Sequence, residues 1–173
     1  MVMLGVRRSS KKRRGVTVVT VCVSLAVLIG FTALTVDVGY IYNTHGEMQA
    51  AADASALAGV TAAPYNTSHA ITRATKTAGE NWVAGSALKS QEVLVQVGYW
   101  DAFSGFSLPT GLEVAKPNAA RVVGARSGVP LFFAAIWGQY ATRISRAATA
   151  LYGGGLCAGV WGLEGIDGDG GIY

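Results

Sequence analysis

The chain has 173 residues, a mean hydropathy of +0.36 and only 14% charged residues, against about 25% in a typical soluble domain. Its formal charge of +4 and pI near 9.2 would admit a nucleic acid as partner, but the placement of the charges excludes that reading. Six of the fourteen Lys/Arg are Arg7, Arg8, Lys11, Lys12, Arg13 and Arg14, and the eight beyond them face ten Asp/Glu, a balance of −2 with no basic–aromatic interleaving.

Residues 1–15 are therefore a basic arm. Val16–Val36 follows it, an uncharged apolar run closed by Asp37. At about 1.5 Å per residue this run makes a helix of about 31 Å, the thickness of a bilayer's hydrocarbon core. A secretory h-region is shorter, about 7–15 residues, and ends in a small-x-small cleavage site; ALTVDVGYIYNTHG contains no convincing one. The run is read as a retained anchor. All six nearby cations precede it, so the positive-inside rule places the N-terminus in the cytoplasm and the remainder outside, which in a bacterium is the periplasmic side of the inner membrane.

Beyond the anchor there is no proline before Pro64, and Ala50–Ala58 is rich in the strongest helix former. The helix is expected to continue over residues 37–62, giving a rod of about 45 residues with a weak point at Gly46. Its small residues point to close helix packing rather than a thick core stripe. The rest, 63–152, reads as one extracytoplasmic α+β domain. Asn66 or Ser68 caps a second helix over Ala70–Trp82, with Ile71, Ala74, Thr75, Ala78 and Trp82 on its buried face. Strands are expected over Glu92–Trp100, Asn118–Arg126 and Thr142–Tyr152, where alternation marks a small three-stranded sheet. Pro130 starts a short apolar helix, Leu131–Trp137, ended by Gly138 and expected to be buried. Residues 153–173 are glycine-rich with no closing element, which reads as a chain that continues. Cys22 lies in the anchor and Cys157 outside, so the two cannot pair within one molecule.

DVGYIYNTHGEMQAAADASALAGV, directly after an apolar segment introduced by RRG, resembles the N-terminal signature of TadE/TadG-like proteins of tight-adherence (Tad or Flp) pilus systems. The matching positions are Asp37, Gly39, Met48, Gln49 and Ala51 to Ala58. VQVGYWD, PNAARVVGAR, PLFFAAIWG and SRAATALY are similar to later family segments. The resemblance implies an envelope protein that takes part in building or displaying a pilus, with no catalytic activity and no cofactor. Its partners would be the membrane, other pilus-assembly proteins or pilins, and a second copy of the chain, rather than a nucleic acid or a small-molecule substrate. Longer relatives carry a von Willebrand A-type domain whose metal site needs Asp-x-Ser-x-Ser, and here Asp53-Ala-Ser55-Ala-Leu57 lacks the second serine. Two other readings stand beside the assembly protein: a pilin-like subunit processed after Gly15, which the Thr20 at the fifth following position disfavours, and an exported adhesive module truncated before its binding domain.

The remaining motifs carry plain readings. Asp37 ends the apolar run at the interface, or pairs with a neighbouring subunit. Asp53 is hydrogen-bonded at a helix surface, or pairs with Arg121. Ala26-x-x-x-Gly30 can seat another membrane helix. Asp167-Gly-Asp169-Gly-Gly171 lacks the further ligands of a calcium loop, and Asn66-Thr67-Ser68 is a sequon only in a glycosylating host. His45 and His69 form no catalytic order with Cys157 or any serine. The interface candidates are thus Asp37, Gly39, Met48, Gln49, Ala51, Asp53, Ala54, Leu57 and Ala58.

Overall fold

The computed structural model describes residues 14–111 and 116–153. Cys157, the stretch Asp167–Gly171 and the basic residues Arg7, Arg8, Lys11, Lys12 and Arg13 lie outside the described residues. The fold is α+β. Helix α1 (Arg14–Val60) is followed by α2 (Thr67–Glu80), a two-residue-strand hairpin β1 (Trp82–Val83) and β2 (Ser86–Ala87), and the strands β3 (Val93–Asp101), β4 (Gly105–Ser107), β5 (Ala119–Pro130) and β6 (Ala141–Leu151). The main sheet runs β4-β3-β5-β6, every neighbouring pair antiparallel. It has four strands rather than three, because the three-residue β4 is too short to show alternation.

α1 is one helix of 47 residues, about 70 Å long, and it runs through Gly39 and Gly46 without a break. Its first half is apolar on every side and bare: Val16, Leu28, Ile29, Phe31 and Leu34 are all exposed. Its second half buries one stripe. Ala33, Thr44 and Ser55 recur every 11 residues, and so do Asp37, Met48 and Gly59. Eleven residues in three turns is about 3.67 per turn, close to the helix's own 3.6, so the stripe runs nearly straight along the rod. The buried Thr44 and Ser55 hydroxyls donate back to the carbonyls of Tyr40 and Ala51, at 2.9 and 2.6 Å, which leaves no unpaired donor there.

The stripe fits the sheet because small residues meet. A Cβ at Gly124 on β5 would lie 2.6 Å from the Met48 sulfur, so the glycine makes the space that Met48 fills. A Cβ at Gly59 would lie 3.1 Å from the Ala74 Cβ and 3.3 Å from the Ala70 carbonyl oxygen, at the junction of α1, α2 and β5. Met48, Ala51, Val83, Leu88, Val129 and Ile144 form one core cluster; Ala56, Val60, Ala74, Ala120, Val122 and Ala150 form a second.

Two sequence expectations are corrected here. α2 buries Ala70, Ala74 and Ala78, while Ile71 is exposed and Trp82 lies in β1, 68% exposed. The contact with α1 selects the track that allows close approach, not the one with the largest side chains. The start is as anticipated: the Asn66 side chain accepts from the His69 amide at 2.9 Å. The apolar run after Pro130 is not a buried helix. Pro130 ends β5, only Ala134–Trp137 forms a 3-10 turn closed by left-handed Gly138, and Ile136 and Trp137 are 76% and 73% exposed. The run forms the turn end of the β5–β6 hairpin, where its aromatic side chains project outward.

Arg126 on β5 is a charged residue that is itself buried. Its Nε and Nη2 donate to the two Glu92 carboxylate oxygens at 2.9 and 2.8 Å. It also donates to the carbonyls of Val83, Ser86 and Ala87 and to the Ser86 hydroxyl, so one guanidinium pins the β1–β2 hairpin to the sheet. The hairpin's tip is tied to α1 by the Ala84 amide, which donates to Glu47 at 2.8 Å. The tip takes positive φ at both Ala84 (48°) and Gly85 (77°), the two-residue turn that favours Asn-Gly.

Two predictions follow from the hairpin. Ala84→Asn relieves the left-handed alanine and raises stability by about 0.5–1 kcal/mol, read as an upward Tm shift in detergent. The Arg126 hydrogen bonds hold Glu92 at a pKa of about 2, below its ordinary 4.5. Its contribution is complete above pH 4.5 and is lost as the pH falls from there toward 2. Glu92→Gln therefore costs on the order of 1–2 kcal/mol at pH 7, after allowance for solvent screening. The gap to the wild type closes in acid, and a gap that persists at the acid end contradicts this assignment.

Candidate functional site

The described residues that ionise or bond at the junction between the two halves of α1 centre on Asp37. The helix period puts Asp37 on the buried stripe, facing the β5–β6 connection, and it is only 5% exposed. Its carboxylate accepts from three consecutive backbone amides. The Phe132 amide donates at 2.8 Å, the Phe133 amide reaches both oxygens at 3.2 and 3.0 Å, and the Ala134 amide donates at 2.6 Å. These amides open the 3-10 turn and have no partner within it, so they form a concave donor cluster suited to an anion. The Tyr40 ring meets Phe132 edge-on, 5.4 Å between centroids. Leu131 N–H donates to the Tyr140 carbonyl at 3.0 Å, which closes residues 131–140 into a loop tied at its root as well as at Asp37.

The other candidate residues divide by the side of α1 they occupy. Met48 and Ala51 are fully buried in the chain's own core, where they serve intramolecular packing. Gly39 is exposed, and a Cβ there would meet nothing within 4 Å. Ala54, Leu57 and Ala58 are half-buried on the flanks and back of the helix. Gln49 donates through Nε2 to Asp53 Oδ1 at 3.0 Å. Of the basic arm, only Arg14 falls within the described residues, at the first position of α1, and Gly15 follows it as an exposed helical residue.

Three features were not anticipated. The first is the partner of Asp37, 95 residues away in sequence; the only local signal was that a turn beginning after Pro130 leaves free amides. The second is the Glu92–Arg126 pair. The third is a polar line on α1: His45 Nδ1 and Gln49 Oε1, one turn apart, are buried without a hydrogen-bond partner among the described residues. Burial, and then the charge of Arg146, push the His45 pKa below its ordinary value, which favours the neutral imidazole.

In the apolar half, the Thr20, Thr32 and Thr35 hydroxyls donate to the carbonyls of Val16, Leu28 and Phe31 at 2.8–2.9 Å. Each hydroxyl is thereby satisfied without water, as a lipid environment requires.

These features define a class: an α+β domain carried on the second half of one long helix, whose first half is long and apolar enough to cross a membrane. Residues 15–63 match the family model described as putative Flp pilus-assembly TadE/G-like. The matched segment is α1 almost entire, together with the turn after it. No curated protein and no solved structure matches the chain.

The geometry predicts that Asp37→Ala frees the 131–140 loop. Hydrogen exchange at the amides of Phe132, Phe133 and Ala134 should accelerate by more than about tenfold while the β5–β6 ladder stays protected. Unchanged exchange at all three would contradict the role given to Asp37.

Proposed function

We propose that this chain is a non-enzymatic, membrane-anchored protein that takes part in assembling a Tad/Flp-type pilus. Its basic arm lies in the cytoplasm, Val16–Val36 crosses the inner membrane, and residues 63–152 form an extracytoplasmic domain. The observation that carries the reading is the coincidence of the TadE/G-like segment, residues 15–63, with one continuous helix. That helix leaves its first half bare and seats a folded domain on its second. A bare apolar rod of this length needs lipid or other helices around it.

The same helix supplies a contact surface. Gly39, Ala54 and Ala58 lie off the centre of the core stripe and present little bulk, which lets a neighbouring helix approach closely, with Leu57 beside them as an apolar contact. The neighbour is another pilus-assembly protein, a pilin or a second copy of this chain. Asp53, linked to Gln49 on the flank, is placed to hold a polar contact at its rim.

Ala54→Leu should reduce co-purification of pilus components several-fold while membrane insertion and Tm stay near wild type. Co-purification unchanged by both Ala54→Leu and Ala58→Leu would remove this surface from the account.

A further inference from the structure

Residues 131–140 expose more apolar surface than any other loop of the described domain, and they do so beside the end of the apolar run. Phe132, Ile136, Trp137 and Tyr140 are all exposed. The sixteen residues Ser127–Thr142 contain no charge at all. An uncharged patch of this kind on an isolated domain would be an aggregation liability. Here the loop is fastened by its amides to Asp37, the residue that ends the apolar run, and by Phe132 to Tyr40, one turn further out.

Burial along the run points the same way. Between Val16 and Val36 every residue is exposed except Gly30 and Ala33. Both lie on the helix side of Asp37, seven and four residues before it, and of the two only Ala33 is fully buried. The burial of Ala33, about 6 Å below Asp37 along the axis, shows that the cover on α1 continues past the end of the apolar run. On the other side of the loop, Arg143 on β6 is exposed two residues past the β-pair Pro130–Ala141, about 7 Å along the strand. The order is apolar and aromatic first, cationic next, which is the order of an acyl–headgroup boundary.

We propose that Leu131–Tyr140 is a second membrane-contacting element, which inserts Phe132, Ile136 and Trp137 into the outer-leaflet interface beside α1, with Arg143 at the phosphate level. Trp and Tyr suit this depth because each has an apolar body and a polar tip. The inserted loop adds a second foothold, so the domain is held at one depth and one rotation about α1 instead of swivelling on a single helix. The proposal rests on the reading of Val16–Val36 as a membrane span.

The test uses the full chain in phosphatidylcholine vesicles with brominated acyl chains, which quench nearby tryptophan. One variant keeps only Trp137 (Trp82→Phe, Trp100→Phe, Trp161→Phe). A second keeps only Trp100, at the far end of the sheet. A third carries Leu28→Trp as its sole tryptophan and reports on the span. Trp137 emission should fall at least about twofold relative to unbrominated vesicles, as for an interfacial tryptophan, with Trp100 unaffected. Quenching of Leu28→Trp but not of Trp137 overturns the proposal and leaves the anchor standing. Absence of quenching at Leu28→Trp overturns the anchor reading itself. Trp137 emission that responds to protein density but not to bromine assigns the loop to a second copy of the chain, and also overturns the proposal.

Discussion

The carboxylate at position 37 stands where α1 passes from one surrounding to another. Before it, the helix is apolar and bare on nearly all sides; after it, one side is buried against the sheet and α2. A charge at that boundary would ordinarily seek bulk solvent. Here three backbone amides from the β5–β6 connection provide its solvation instead. The contact fixes where the domain sits along the rod, because a shift of the sheet by one helical turn would leave the carboxylate and the amides both unpaired. Unpaired buried groups of this kind are costly to leave unmade, so the register of α1 on the sheet depends on this junction more than on any single apolar contact.

The packing above the junction follows a different rule from that of an ordinary amphipathic helix. The buried stripe holds alanines, Thr44, Ser55 and Gly59, with Met48 as its one large side chain. Little apolar area is removed from water per residue, but backbones approach closely, and Gly59 against Ala70 and Ala74 marks where they are tightest. Such a surface is selective in shape rather than strong in transfer free energy. Arg126 then supplies what the small core does not, a charged centre that joins β5, the hairpin and Glu92 through six hydrogen bonds.

Much of this is legible in the residues. The apolar run, the absence of proline before Pro64 and the alanine-rich segment predict α1 almost to its ends, and alternation predicts β3, β5 and β6. What is not legible has physical causes. Two- and three-residue strands carry no period. The face of α2 is chosen by how near α1 can come, so Ala70–Ala74–Ala78 prevails over Ile71 and Trp82. The apolar loop after Pro130 has the composition of a core segment, and only its position beside Asp37 distinguishes a core from a membrane contact. Long-range pairs such as Asp37 with Phe132–Ala134 leave little mark in local sequence: the turn after Pro130 offers free amides but does not name the carboxylate they meet. The TadE/G-like resemblance identifies the helix well, and the family match at 15–63 coincides with it; the roles of individual residues on it come from the fold.

The central claim is that one uncut helix is both the anchor and the scaffold for the outer domain. The intact mass of the protein extracted from membranes tests it most directly. The account predicts a chain that retains the basic arm and the whole of α1. A mass lacking everything up to about residue 36 would contradict it, because the segment that carries the domain in the bilayer would then be absent from the mature protein.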